Sequence, residues 1–328
     1  MPRVGSLNLS GSTILLTGGT GSFGTAFVGR VTNEWPDAVV RVYSRDELKQ
    51  SEMLERFGDR QIRYFIGDVR DRSRLTRAAQ GADFIVHAAA MKQVPACEYN
   101  PFDAVNTNVL GAQNIVDAGI DAGVSRIVAL STDKAVNPVN LYGATKLCAE
   151  KIVVQGNAYA AQGPTRLSCV RYGNVVGSRG SVVPLFRRQA GEGRLLITDE
   201  RMTRFWITLS QAVDLVLYAL ETMTGGEVFI PKIPSMRVVD LAEAMAPGIP
   251  REVIGIRPGE KLHEVLLTSD EARHARDVGS VYVVVPEHPW WSGQPAWIEG
   301  KPLDDGFAYS SDTNVDWLSA SQLADILS

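Results

Sequence analysis

Cysteine is scarce in this chain of 328 residues: Cys97, Cys148 and Cys169 are its three, irregularly spaced and without a Cys-x-x-Cys pair. Neither a disulfide framework nor a thiolate zinc site fits that pattern, so reduced thiols in the cytosol are expected. Histidine is almost as rare, four residues without metal-ligand spacing, and no metal is expected. Excess positive charge is missing too. Lys and Arg total 33 against 37 Asp and Glu, a net charge of -4, which excludes the overall basic footprint of a nucleic-acid binder. No apolar run approaches the ~20 residues that span a bilayer. The opening MPRVGSLNLSGS lacks the apolar stretch of a secretory signal. The expectation is a soluble cytoplasmic protein with no nucleic-acid partner and no membrane.

What is present is ordinary globular composition, 45% hydrophobic and 21% charged, with length enough for a large core. Short apolar or β-branched runs recur at 12–17, 39–43, 63–66, 84–87, 126–130 and 167–171, separated by helix-compatible stretches such as 72–80 and 106–119. Strands alternating with helices predict βαβ units and a mostly parallel sheet covered on both faces. After about residue 178 the rhythm loosens, with helices expected at 184–190, 211–222 and 236–245 and a strand at 228–231. The predicted fold is α/β, a Rossmann-like doubly wound parallel sheet with a smaller C-terminal substrate-binding lobe. Residues 1–175 would form the dinucleotide-binding domain, with later returns to the sheet at about 205–232, and residues 176–328 mainly the lobe.

The turn after the first run carries Gly18, Gly21 and Gly24 three apart, with Thr20, Ser22 and Phe23 between them. Glycines there permit a tight turn, close approach to a pyrophosphate and close helix–strand packing, and the helix that follows offers its positive end to phosphate. The end of the second run chooses between cofactors. An acidic residue there would bind the ribose 2′-hydroxyl of NAD. This chain has Ser44 and Arg45 instead, with Lys49 a turn later, which suits the 2′-phosphate of NADP. Asp68 and Val69 follow the third run, placed for adenine, and the small Ala88, Ala89 and Ala90 follow the fourth, leaving room for the cofactor.

Tyr142 and Lys146 stand four apart, on one face if the segment is helical. A lysine ammonium beside the phenol would lower the tyrosine pKa, making Tyr142 a base for a hydroxyl, and Lys146 could also hold the nicotinamide ribose. Thr132, Asp133 and Lys134 end the fifth run, where ligands bind in open α/β sheets. A dehydrogenase or epimerase needs only the hydroxyl of Thr132. Asp133 and Lys134 add an acid and a base, which elimination of water requires.

These strings, STDKAVNPVNLYGATK with TGGTGSFG and VYSRDELKQ before it, resemble the inverting UDP-N-acetylglucosamine 4,6-dehydratases of the extended short-chain dehydrogenase/reductase superfamily. The likeness continues through HAAAMKQVPACEYNP, RYGNVVGSRGSVVP, MTRFWITL, IRPGEKLHE and YSSDTN, from about Gly11 to Leu327. It implies that Tyr142 takes the 4-hydroxyl proton as NADP oxidises carbon 4. Lys134, held unprotonated, then takes the carbon-5 proton, and Asp133 protonates the leaving 6-hydroxyl. A proton returns to carbon 5 on the opposite face. The same likeness implies Asn174 as a contact near the nicotinamide, Arg204 and Arg257 as diphosphate ligands and Glu260 as a uridine-ribose ligand. Lys92 and Asn108 fall near the expected floor of the site, with the alternatives of a loop charge and a backbone-bonding amide left open. The expected partners are UDP-N-acetylglucosamine and further copies of the chain, a dimer or larger homo-oligomer. Competing readings are a UDP-sugar 4-epimerase, an enzyme releasing the 5,6-unsaturated sugar, and a catalytically silent nucleotide-sensing module.

Overall fold

Strand β1 (Thr13–Thr17) has Ile14, Leu15 and Leu16 wholly buried, and it stops at Gly18, whose positive φ of 66° breaks the extended run. It feeds α1 (Ser22–Glu34), and the alternation continues through β2 (Val39–Ser44), α2 (Glu47–Phe57), β3 (Ile62–Ile66), α3 (Arg72–Ala79) and β4 (Phe84–His87). After the helix Gly111–Asp121 come β5 (Arg126–Thr132), the helix Leu141–Ala160 and β6 (Arg166–Tyr172). The computed structural model describes residues 5–58, 61–160, 163–178, 182–287, 291 and 299–327.

The strands form one parallel sheet in the order β3-β2-β1-β4-β5-β6, followed by the strand Val228–Pro231. This is the doubly wound order, with the chain reversing direction across the sheet between β1 and β4, where such folds bind ligands. The inner strands read as continuous apolar runs because helices cover both faces. Three antiparallel strands, Val281–Val284, Ala275–Asp277 and Lys301–Pro302, extend the sheet beyond Val228–Pro231, so its later returns run well past residue 232.

A second, smaller core gathers Phe186, Leu195, Trp206, Met236 and Leu241. Beside it lies a three-stranded sheet of Asn174–Val175, Thr203–Ile207 and Ser235–Arg237. The helix expected at 236–245 begins at Val238, because Ser235–Arg237 pairs antiparallel with Thr203–Phe205 instead. The stretch 106–119 also divides: Val105–Leu110 is a π-helical turn, and the α-helix starts at Gly111. Such turns widen the helix and re-aim its side chains, Asn108 among them.

The back of β6 is held by charge. Arg171, 1% exposed, donates two hydrogen bonds to Glu150, two to Glu271 and one to the Leu266 carbonyl. The guanidinium is thereby fully partnered, which is the condition under which a buried ion pair is tolerated. It ties the helix Leu141–Ala160 and the helix Ser269–Ala272 to the strand that ends at Tyr172, just before Asn174. Among the described residues no helix is long and apolar enough to cross a membrane.

Candidate active site

A cleft of about 760 Å³ opens over the carboxyl ends of β1, β2, β4, β5 and β6. Its floor is the glycine turn. A Cβ on Gly18 would lie 2.8 Å from the Ala88 carbonyl carbon and the Ala89 nitrogen, so the turn can rest against the Ala88–Ala90 segment only with glycine there. A Cβ on Gly24 would collide with the Gly19 backbone. Gly21 is the N-cap of α1 and makes no side-chain capping bond, which leaves the helix start to a ligand. The residues present therefore fit a dinucleotide.

Nearly all the expected cofactor contacts line this cleft: Gly18, Thr20, Gly21, Ser22, Phe23 and Gly24 of the turn, Asp68 and Val69 after β3, Ala88 to Ala90 and Lys92 after β4. So do Ser44, Arg45 and Lys49. Of those three, Ser44 Oγ accepts from Gln50, and Lys49 is paired with Asp46, the N-cap of α2. Arg45 is open, its side chain 60% exposed with Asp68 3.8 Å away. Asn108 does not line the cleft. It is buried, accepts from Met91 N–H at 2.8 Å, and donates to the Met91 carbonyl and Thr145 Oγ1 at 3.0 Å. It clasps the loop after β4 to the helix that carries Tyr142, which is the backbone-bonding alternative.

At the end of β5 the reactive groups converge. Thr132, Lys134, Tyr142 and Lys146 line the cleft. Thr132 Oγ1 donates to Asp133 Oδ1 at 2.9 Å, and Lys134 Nζ donates to the same oxygen at 3.0 Å. Asp133 itself is wholly buried behind these two, with Oδ2 making no hydrogen bond. Tyr142 reaches them because Gly143 follows it: a Cβ at 143 would collide with the Lys134 carbonyl.

Two electrostatic expectations are corrected. Lys146 does not lower the Tyr142 pKa. Its ammonium donates to the Leu130 carbonyl at 2.7 Å, and burial pushes the Tyr142 phenol up to about 12, against the opposing pull of Lys134 and a hydrogen bond with Thr132. Lys134 is not held unprotonated. Burial acts to lower its pKa, but Asp133 and Glu264 together outweigh burial and raise it above the usual lysine value. The resting group is an ammonium between two carboxylates.

Residues 14–286 match the sequence profile of the family described as polysaccharide biosynthesis protein. The chain belongs to that family. A relative in Campylobacter jejuni named UDP-N-acetylglucosamine 4,6-dehydratase (inverting) is 49% identical over 326 residues, 97% of this chain and 98% of that one. A Rickettsia felis relative named UDP-glucose 4-epimerase is 44% identical over 280 residues, 82% of each chain. The X-ray structure of Pen from Bacillus thuringiensis, 38% identical, matches with a TM-score of 0.90 over 98% of both chains.

Within the chain the expected substrate contacts separate. Asn174 lines the cleft, and its Oδ1 accepts from Lys134 Nζ at 3.4 Å. Arg204 does not line it. Its guanidinium is buried and donates to the carbonyls of Thr203, Lys261 and Leu262 at 2.7–3.1 Å, so it serves as a strut rather than an open diphosphate ligand. Arg257 and Glu260 lie outside the cleft wall and face each other at 3.6 Å. The segment they belong to is strapped over the catalytic turn: Asn140 Nδ2 donates to the Gly259 carbonyl at 2.7 Å, and Lys261 Nζ donates to the Val136 carbonyl. Sequence reasoning missed Asn140, Lys261 and Glu264. The string IRPGEKLHE contains the last two, but only the folded chain shows that Glu264 meets Lys134 and that Lys261 meets the turn after it.

Proposed function

We propose that the chain is an NADP-dependent UDP-N-acetylglucosamine 4,6-dehydratase that inverts carbon 5, working in the cytoplasm as a homo-oligomer, with residues 1–175 holding the cofactor and the later lobe the sugar nucleotide. One observation carries the reading: the Thr132–Asp133–Lys134 cluster beside Tyr142, within hydrogen-bond reach of one another at the cleft wall. Campylobacter jejuni relatives at 49% and 50% identity bear the name of this activity.

A nicotinamide cofactor in the cleft supplies oxidation at carbon 4 and reduction at carbon 6. Tyr142 accepts the proton of the 4-hydroxyl as a phenolate, after losing its own proton, a loss that the Lys134 charge and the hydrogen bond with Thr132 favour against burial. The resulting ketone acidifies carbon 5. Lys134 must then be an amine and Asp133 a carboxylic acid, and moving one proton across their 3.0 Å contact produces both at once. Burial pulls toward that neutral pair, against the two carboxylates that hold the charged form at rest. Lys134 takes the carbon-5 proton, and Asp133 releases its proton to the departing 6-hydroxyl. Thr132, bonded to Asp133 and exposed to the cleft, links the buried acid to the substrate side. Water leaves, the pair returns to ammonium and carboxylate, and a solvent-derived proton added to carbon 5 from the other face completes the inversion.

The rival reading, a 4-epimerase, uses only Tyr142 and the cofactor and leaves a buried acid–base pair without a task. Incubation with UDP-N-acetylglucosamine and mass spectrometry separate them. The expected product is lighter by one water; a product of unchanged mass overturns the dehydratase.

The cofactor choice has its own test. Arg45 is the open cation at the end of β2, so NADP should bind more tightly than NAD by calorimetry. Arg45→Ala should cost NADP about 1.5 kcal/mol, the low end for a charged hydrogen bond because the site is half open, or roughly tenfold in Kd. NAD affinity should barely change. Equal binding of the two cofactors by the parent protein refutes this assignment.

A further inference from the structure

Glu264 has no part in the scheme above, yet its carboxylate is 2% exposed and faces three cations: Lys134 Nζ at 3.3 Å, Lys261 Nζ at 3.5 Å and Arg204 Nε at 3.9 Å. A buried carboxylate loses its hydration and is retained only where it is paired. Its main chain is fixed, since the Glu264 N–H donates to Ser311 Oγ at 2.9 Å and its carbonyl accepts from Ser311 N–H at 2.8 Å. An ammonium carries three donors. Around Lys134 Nζ stand three oxygens, Asp133 Oδ1 at 3.0 Å, Glu264 Oε1 at 3.3 Å and Asn174 Oδ1 at 3.4 Å. Glu264 is thus one leg of the tripod that fixes this amino group at the cleft wall.

We infer that Glu264 is a positioning residue for Lys134, anchoring its amino group and setting the charge it carries. The inference rests on the reading of Lys134 as the carbon-5 base. The groups facing Lys134 are Asp133 beside it, Tyr142 from the helix Leu141–Ala160, Arg204 from the strand Thr203–Ile207, and Glu264 with its partner Lys261 from the strap. Three cations meet two carboxylates there. Removing the charge of Glu264 leaves Lys134 with one carboxylate against two other cations, and the ammonium loses ground to the amine. Removing the charge of Lys261 does the reverse, because Glu264 then has one cation fewer to serve.

The test follows solvent deuterium entering carbon 5 as a function of pH, in the full chain with its cofactor, with far-UV circular dichroism and cofactor affinity as checks on folding. In Glu264→Gln the acid limb of the profile should move down by about 1 unit or more, the usual effect of losing one close opposite charge. In Lys261→Met it should move up. A purely structural role would change yield or melting temperature and leave both limbs in place. Unmoved limbs, or limbs moving in the same direction, overturn the inference. If Glu264→Gln fails to fold, Lys261→Met decides alone: an upward shift supports the inference, and an unmoved or downward limb overturns it. Exchange surviving in Lys134→Ala would remove the base itself. Exchange lost there, with the other two limbs unmoved, would remove only Glu264.

Discussion

Asp133→Asn should leave oxidation at carbon 4 intact and slow elimination by about 10²–10⁴-fold, the usual worth of a positioned acid or base. The substitution keeps the shape of a wholly buried side chain whose Oδ1 accepts from both Thr132 and Lys134. An amide can still accept there, so the cluster should hold together. What it cannot do is take the Lys134 proton on the oxygen that meets it and pass that proton on as a carboxylic acid does. Losing the negative charge beside Lys134 also lets its proton leave to solvent more readily, which offsets the loss of Asp133 as its acceptor, so the loss falls mainly on protonation of the leaving hydroxyl. The absorbance of reduced nicotinamide should therefore rise on mixing with UDP-N-acetylglucosamine and persist, while product lags. Dehydration at the parent rate would take Asp133 out of the mechanism.

Much of this site could be read from the sequence because its parts are local. β1 to β6 are legible as apolar runs since the inner strands of a covered parallel sheet need no polar face. The glycine turn is legible because Gly18 and Gly24 answer steric demands from backbone close by, and the Tyr142–Lys146 spacing states a helical face. The antiparallel strands at 275–277 and 301–302 are three and two residues long and carry no such pattern, so their place in the sheet had to come from the fold. Arg204 shows a different limit. Its surrounding string fits a ligand, but whether a guanidinium meets solvent or spends its donors on Thr203, Lys261 and Leu262 is decided by packing.

Charge state was the least legible property. From the sequence, Lys134 has burial on one side of the balance and Asp133 on the other. Asp133 is joined on its side of the balance by Glu264, which reaches Lys134 only through the strap that Lys261 and Asn140 hold down. Likewise Lys146 is four residues from Tyr142, yet its ammonium is turned onto the Leu130 carbonyl, and burial governs the phenol.

Lys134→Ala carries the largest effect and bears most directly on the central claim, that this chain eliminates water by taking the carbon-5 proton on Lys134. The side chain removed is one of three groups at the centre of the cluster, and nothing else within it can take its place: Lys146 is bound to the Leu130 carbonyl, and Lys261 to the Val136 carbonyl. The glycine turn and Tyr142 are untouched, so cofactor binding should persist. The decisive measurement is the nuclear magnetic resonance spectrum of the sugar nucleotide after incubation in deuterium oxide with each protein. The parent should yield a 4-keto-6-deoxy sugar with deuterium at carbon 5 in inverted configuration, and Lys134→Ala should yield neither water loss nor deuterium there. Deuterium entering carbon 5 at the parent rate in Lys134→Ala, or a parent product with none, would contradict the account.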